Sequence, residues 1–190
     1  MIHPSAIVAD DIVRNDEMTI GAFSVIGLDQ ESLPAPAFAG KAICRSHSVV
    51  YRGSTFGAGL HVSHGALVRE ECTFGENVSV GSHSIVEHHV TLNDGVRLHS
   101  RCFVPEFSVL EEGVWLGPGV TVTNSKYPNR ADSKDRLEGV HLHEGATIGA
   151  GVILLPGIEI GEGAMVGAGA VVTSNVPAGA TIVGNPGRKL

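Results

Sequence analysis

Large apolar residues recur at every sixth position through most of the chain. A smaller inward-type residue follows four positions after each of them. A helix would need apolar spacing near 3.6 and an alternating strand a spacing of 2, so a period of six predicts neither. The first series is Val50, Phe56, Val62, Val68, Phe74, Val80, Val86, Leu92, Leu98, Val104, Leu110, Leu116 and Val122, and the second is Leu142, Ile148, Leu154, Ile160, Val166 and Val172.

A six-residue unit with one large and one small inward residue predicts a short flat strand followed by a turn. Three units make a triangular coil of about 18 residues, and stacked coils share one continuous core. Glycines in the turns, as in Gly117-Pro118-Gly119, supply backbone with positive φ. We therefore predict an all-β, parallel β-helical solenoid forming a single domain over residues 1–190. A right-handed β-helix and a β-sandwich are the alternatives.

The period fails in two places, at about residues 28–48 and 124–141. The first stretch contains two prolines and is either a loop excursion or a pair of distorted coils. In the second, Val122 and Leu142 are twenty residues apart, which is not a multiple of six, so the chain must loop out. Its basic residues either meet phosphates or form a solvated charged loop.

The net charge of −7 argues against a nucleic-acid partner, because phosphate binding requires clustered basic residues. No apolar stretch reaches the ~20 residues of a membrane span, and the first residues lack the features of an export signal. Cys44, Cys72 and Cys102 are odd in number and lack metal-type spacing, which indicates buried free thiols. We expect a cytoplasmic protein with no membrane or nucleic-acid partner.

This repeat resembles the hexapeptide-repeat acyltransferase superfamily, and two segments extend the likeness. VTVTNSKYPNR resembles the "TNxxYPR" loop of nucleotide-sugar N-acetyltransferases, with Asn129 as an extra residue, and residues 148–190 resemble the C-terminal coils and closing basic segment of the superfamily. The resemblance implies left-handed winding, a homotrimer and acetyl transfer from acetyl-CoA. It also implies that the acceptor is an amine or hydroxyl of a sugar that is linked to a nucleotide.

The segment Ile85–Val90 resembles the "VIEHE" corner in which such enzymes hold a catalytic histidine followed by an acidic residue. The match makes His88 the base candidate and places His89, the alternative base, where the acidic residue would be. Glu87 is then the carboxylate that could orient the base. An imidazole has an ordinary pKa of ~6.5 and can take a proton from an attacking amine at neutral pH. This chemistry requires no metal.

The same resemblance implies further binding residues. In the second interruption of the repeat (124–141), the expected acceptor-binding residues are Asn124, Lys126 and Arg130. Two Gly-Ala steps eighteen residues apart would stack into a row that accommodates the pantetheine arm of acetyl-CoA, and two basic residues near residue 190 would meet its phosphates. Alternatively, the small residues are those that any tight coil needs. The six residues are Gly149, Ala150, Gly167, Ala168, Arg188 and Lys189.

Two rival functions remain open. The γ-class carbonic anhydrases share this fold and place two zinc-binding histidines five residues apart, as His83 and His88 are, and Glu70 is the third candidate ligand. Metal content in the purified protein would separate this class from the transferases. The other rival is a β-helix that serves as a non-enzymatic assembly module, which would bind no CoA ester.

Overall fold

The computed structural model describes residues 1–28 and 32–190, and of Leu28 it describes only the backbone. Residues 29–31 of the first predicted excursion lie outside the described residues. One 3₁₀ turn, Ser133–Arg136, accompanies the strands of the described chain. The strands are β1 (Ile7–Val8), β2 (Met18–Ile20), β3 (Val25–Leu28), β4 (Ala37–Phe38), β5 (Ala42–Cys44), β6 (Val49–Tyr51), β7 (Thr55–Phe56), β8 (Leu60–Val62), β9 (Leu67–Val68), β10 (Thr73–Phe74), β11 (Ser79–Val80), β12 (Ile85–Val86), β13 (Thr91–Leu92), β14 (Arg97–Leu98), β15 (Phe103–Val104), β16 (Val109–Leu110), β17 (Trp115–Leu116), β18 (Thr121–Val122), β19 (His141–Leu142), β20 (Thr147–Ile148), β21 (Ile153–Leu154), β22 (Glu159–Ile160), β23 (Met165–Val166), β24 (Val171–Val172), β25 (Thr181–Val183) and β26 (Arg188–Lys189).

The strands stack into three sheets, which are the faces of a triangular coil. Face A contains β2, β5, β8, β11, β14, β17, β20, β23, β25 and β26; face B contains β1, β3, β6, β9, β12, β15, β18, β21 and β24; face C contains β4, β7, β10, β13, β16, β19 and β22. The chain visits the faces in the order A, B, C, and we name the turns between them corner AB, corner BC and corner CA. The prediction of an all-β parallel β-helix is confirmed.

Each strand pairs with the strand one coil away. Ile85 is opposite Phe103 on face B, and Ser79 is opposite Arg97 on face A, both eighteen residues on. The backbone hydrogen bonds run between coils, for example from the Ile85 N–H to the Cys102 carbonyl over 2.9 Å. Residues eighteen apart therefore lie one above the other at every face and corner.

The predicted inward residues form the core. Val86, Leu92 and Leu98 are buried, as are the other members of both six-residue series. At the small inward positions, buried hydroxyls complete the corners: Ser84 donates to the His99 carbonyl over 2.9 Å and accepts from the Cys102 N–H over 3.1 Å. Hydrogen bonding of this kind removes the desolvation cost of a buried hydroxyl.

Both interruptions of the repeat leave the helix at corner BC. The first begins after β3, and strands resume at Ala37, so β4 and β5 form regular pairs inside the predicted excursion of 28–48. The second occupies the residues between β18 and β19, which we call the insertion loop (123–140). The Glu138 N–H donates to the Asn124 carbonyl over 2.8 Å and closes the base of this loop.

In the described chain, no helix has the length and apolarity needed to cross a membrane.

The three cysteines are buried and unbridged. Burial raises the pKa of Cys44 and of Cys72 to about 12 each, and that of Cys102 to about 11. An unfolded thiol titrates near ~8.5, so the buried thiols favour the folded state fully below that pH. Their contribution is lost as the pH rises from ~8.5 through the folded pKa values.

We predict that the native protein does not react with a thiol-specific reagent at pH 8, whereas all three thiols react in denaturant. Thiolate counting by absorbance measures this directly, because the thiolate is the reactive form. Denaturation curves should also show the free energy of unfolding falling above pH ~8.5. Rapid labelling of the folded protein would contradict the burial of these residues.

Candidate active site at corner BC

The predicted catalytic residues Glu87, His88 and His89 lie in the middle one of three stacked turns of corner BC. These turns are residues 69–72, 87–90 and 105–108, and each follows a strand of face B. The eighteen-residue period aligns Glu70, His88 and Glu106 in one row. It aligns Glu71, His89 and Phe107 in the next row, where each has a positive φ of 56°, 57° and 63° respectively. Positive φ recurs at this turn position in other corners, as at His83 and Arg101, so it is a property of the coil and does not by itself mark the site.

His88 stands between a second imidazole and a carboxylate. Its Nδ1 lies 2.7 Å from the Nδ1 of His89, and its Nε2 lies 3.7 Å from Oε1 of Glu106. The Phe107 ring contacts both imidazoles edge-on or tilted, with centroids 5.9 and 5.6 Å away. The side chain of His88 is 25% exposed, so its ring is held but accessible.

His89 has a carboxylate partner of its own. Its Nε2 lies 3.3 Å from Oε2 of Glu71, which belongs to the preceding coil. Glu87, by contrast, pairs with Arg69 over 2.8 Å, and Arg69 also holds Glu70 at 2.8 Å. Glu87, the carboxylate expected from its adjacency to orient the base, is instead paired with Arg69.

Glu106 and Glu71 were missed by the sequence analysis. Both lie one coil from the His88–His89 pair, Glu106 eighteen residues after His88 and Glu71 eighteen residues before His89. Applying the coil length to the predicted base would have found them. Adjacency in sequence was the weaker guide, because neighbouring residues in a tight turn point in different directions.

The insertion loop joins the same cluster. Asn124 donates through Nδ2 to Oε2 of Glu106 over 2.7 Å. A cavity of about 380 Å³ lies between the loop and the corner, and it is lined by Arg69, His88, Glu106, Phe107, Lys134 and Leu137. Of the predicted acceptor-binding residues, Asn124 is therefore connected to the predicted base through Glu106.

Lys126 and Arg130 lie elsewhere in the insertion loop. They line a separate hollow within it, together with Tyr127 and Asp132. Asp132 pairs with Arg130 over 3.0 Å and also contacts Arg136, so two of the loop's basic residues share one carboxylate. The structure places these two predicted residues apart from His88.

The predicted cofactor row lies at corner AB, on the other side of face B. A Cβ on Gly149 would come within 2.5 Å of the Ala168 nitrogen, and one on Gly167 within 2.9 Å of Val183 Cγ1. Close stacking of the coils is therefore enough to require Gly149, where the contact is with backbone, whereas at Gly167 the contact is with a side chain. Arg188 and Lys189 are exposed in β26, which pairs antiparallel with β25.

The row is also displaced along the helix axis from His88. Successive corner AB hydrogen bonds connect Arg101 to Ser82, Gly119 to Ser100 and Gly151 to Pro118, so the coil of Gly149 is the third beyond that of His88. Within one protomer, face B separates the predicted base from the predicted cofactor row.

The ligands of the rival zinc site do not meet. His83 lies at corner AB and His88 at corner BC, on opposite sides of strand β12, and Glu70 is held by Arg69. Within the described residues, these three side chains do not form a group able to hold one ion.

Comparison with known proteins supports the repeat and the fold. Residues 139–174 match the family model described as bacterial transferase hexapeptide (six repeats). No curated protein matches the chain in sequence. Among solved structures, the acetyltransferase domain of PglB from Neisseria gonorrhoeae, determined with acetyl coenzyme A, is 17% identical, with 89% of this chain and 87% of that one covered and a TM-score of 0.57.

A second similar structure is the UDP-N-acetylglucosamine acyltransferase of Francisella novicida. It is 15% identical, with 100% of this chain and 70% of that one covered and a TM-score of 0.67. At such identities the likeness establishes the fold. The predicted hexapeptide repeat is therefore confirmed over residues 139–174, and the described part of the chain shares the fold of these solved structures.

Proposed function

We propose that this chain transfers an acetyl group from acetyl-CoA to an amine or hydroxyl of a sugar, with His88 as the general base. The acceptor sugar is carried on a nucleotide, as the likeness of the insertion loop to the "TNxxYPR" loop suggests. The observation that carries the proposal is the relay Glu71–His89–His88, which ends beside a cavity covered by that loop. The fold shared with acetyltransferases supports it.

The relay favours one protonation pattern. A carboxylate only accepts hydrogen bonds, so the contact with Glu71 favours a proton on Nε2 of His89. The Nδ1 of a neutral His89 is then an acceptor, and the Nδ1–H of His88 donates a hydrogen bond to it across the 2.7 Å contact. Nε2 of His88 is left with a lone pair, which is the state that a general base requires.

Glu106 acts after the proton has moved. At 3.7 Å from Nε2 of His88 its carboxylate is too far for a hydrogen bond, so it leaves the lone pair available. Once His88 is protonated, this negative charge stabilises the imidazolium, as the aspartate does in a Ser-His-Asp triad. The hydrogen bond from Asn124 fixes Glu106 in this position.

In the proposed reaction, the proton of the acceptor passes through His88 to the leaving group. The amine or hydroxyl of the acceptor attacks the thioester carbonyl carbon while Nε2 of His88 removes its proton. The carbon–sulfur bond breaks, and His88 returns the proton to the CoA sulfur. The oxyanion that forms in between requires an aimed N–H donor, and the turns of the coil carry several. Lys134, which lines the cavity, is placed to meet an anionic acceptor.

Face B is suited to contact other copies of the chain. Its outward side chains are apolar in every coil but one, whereas the outward residue of face C is a threonine in three strands and a histidine or glutamate in two more. Ile7 is 54% and Ile153 is 38% exposed. An exposed apolar ladder of this length is typical of a protein interface. The outward residues of face B are Ile7, Val25, Val49, Leu67, Ile85, Phe103, Thr121, Ile153 and Val171.

A homotrimer with its three B faces turned toward the symmetry axis would complete the site. Cyclic symmetry then brings corner BC of one copy against corner AB of the next. His88 would lie in a groove whose opposite wall carries the Gly149–Ala150 and Gly167–Ala168 steps. Parallel strands are about 4.8 Å apart, so these steps begin roughly 14 and 19 Å along the groove from His88. An elongated pantetheine arm would lie along this wall.

We predict that His88→Ala lowers kcat for acetyl transfer by ~10²–10⁴-fold, because the attacking group loses its base. Added imidazole should restore part of the activity of this variant. Glu71→Gln and His89→Ala should give smaller losses, and imidazole should not restore them, because these residues act by positioning His88. Steady-state assays with acetyl-CoA and nucleotide-linked amino sugars measure these effects.

The exposed His3, far along the helix axis, provides the control, and His3→Ala should retain full activity. Unchanged turnover of His88→Ala would remove this residue from the mechanism. Failure of acetyl-CoA to raise the melting temperature of the wild-type protein would instead favour the non-enzymatic assembly module, because a ligand of the native state must stabilise it.

We also predict that Ile85→Lys dissociates the trimer, because it places a charge at the centre of the apolar face B. Thr91→Lys, at the outward position of face C in the same coil, is the matched control and should leave the trimer intact. Sedimentation velocity distinguishes the two. A trimer that survives Ile85→Lys but not Thr91→Lys would place the contact on the wrong face.

A further inference from the structure

A second cluster of ionisable side chains lies at corner CA, away from the proposed reaction. Glu111 follows β16, and His141 and His143 lie in and just after β19. Oε1 of Glu111 is 2.7 Å from Nε2 of His141 and 3.2 Å from Nδ1 of His143. The two imidazoles are stacked, with centroids 4.2 Å apart and planes 25° apart. One carboxylate oxygen and two ring nitrogens thus converge on the same point.

We propose that Glu111, His141 and His143 bind a divalent transition cation, of which Zn²⁺ is the best match. The three donor atoms lie within 4.8 Å of one another, and within the described residues no other group of three meets this condition. Tetrahedral zinc with bonds of ~2.0–2.1 Å needs its ligand atoms roughly 3.3 Å apart. The distances of 2.7 and 3.2 Å require only small side-chain adjustments to admit the ion.

The ligand types select the metal class. Two imidazoles and one carboxylate suit zinc and its neighbours in the transition series, whereas calcium and magnesium prefer sites made entirely of oxygen. Three protein ligands also leave at least one coordination position open to water. Mg²⁺ and Ca²⁺ are therefore expected to bind far more weakly than Zn²⁺.

The backbone around the ligands is fixed before any ion arrives. The Glu111 N–H donates to the Leu142 carbonyl over 2.8 Å, and the His143 N–H donates to the Ile160 carbonyl over 2.9 Å. The second carboxylate oxygen of Glu111 accepts from the Glu144 N–H over 3.1 Å, which orients the carboxylate. Supporting hydrogen bonds of this kind raise metal affinity.

The surroundings of the cluster carry a negative charge. Glu159 lies directly opposite His141 on the next strand of face C, and the turns at corner CA add Glu112, Glu144 and Glu162. Local negative charge raises the concentration of divalent cations at the site. It also offsets the repulsion between a bound cation and any protonated histidine nearby.

The position of the cluster gives the cation a structural role. Glu111 lies in the last corner CA turn before the insertion loop, and His141 lies in the first strand after the loop. A bound ion would connect the two coils and close the intervening segment. Such a connection favours the folded state most when the closed segment is long. The site would therefore stabilise the base from which the insertion loop reaches His88.

Isothermal titration calorimetry with ZnCl₂ tests the proposal on chelator-stripped, untagged protein. We expect one ion per chain for the wild type and a melting temperature that rises with zinc. The double variant H141A/H143A should lose at least about 100-fold in affinity, since even a supporting group is worth about 10–100-fold. Glu111→Gln keeps the side-chain shape and should weaken binding while the protein stays folded.

The matched control is H88A/H89A, which removes an adjacent imidazole pair that also faces two glutamates. It should bind zinc as the wild type does. Absence of zinc binding by the wild type would overturn the proposal, as would equal binding by the wild type and H141A/H143A. Loss of zinc binding in H88A/H89A would place the ion at corner BC and would overturn the proposal as well.

Discussion

The stacking of coils through backbone hydrogen bonds is the constraint on which the whole structure depends. Each strand satisfies its N–H and carbonyl groups only with the coils before and after it, as in the 2.9 Å bond from Ile85 to Cys102. A shift of one residue in any coil would turn its inward side chains outward. The coil length is therefore fixed wherever the stack is regular, and residues far apart in sequence meet at a corner only if they are whole coils apart.

This constraint explains how the site is assembled. Glu71, His89, His88 and Glu106 come from three successive coils, and the turn geometry of corner BC holds them in two rows. The insertion loop leaves the helix at this same corner and contributes Asn124. The repetitive scaffold thus positions the imidazoles, and the insertion loop beside them shapes the cavity. In solenoid proteins, insertions between repeats often form the binding face in this way.

The fold was predictable from the sequence because the apolar residues that recur every six positions are the ones that form the core, as the burial of Val86 and Leu92 shows. The site was predicted less completely. Glu87 was a plausible partner for His88 by adjacency, yet Arg69 from the preceding coil takes it. The basic charges of the insertion loop suggested phosphate binding, but the pairing of Asp132 with Arg130 depends on how the loop folds, which no periodicity encodes.

The role of the small residues at corner AB could not be predicted from the sequence, for a different reason. Gly149 is needed because the next coil lies against it, and a groove for a cofactor would need the same glycine. Sequence alone cannot separate the two causes, since both act through the missing side chain. The geometry adds that the row and His88 lie on opposite edges of face B, so only a neighbouring copy can bring them together.

A crystal structure of the protein with bound CoA therefore tests the central claim most directly. The account predicts a threefold assembly in which CoA lies between two copies, with its sulfur beside Nε2 of His88 from one copy and its pantetheine arm along Gly149 and Gly167 of the other. CoA bound far from His88, or held within a single copy at a different corner, would contradict it.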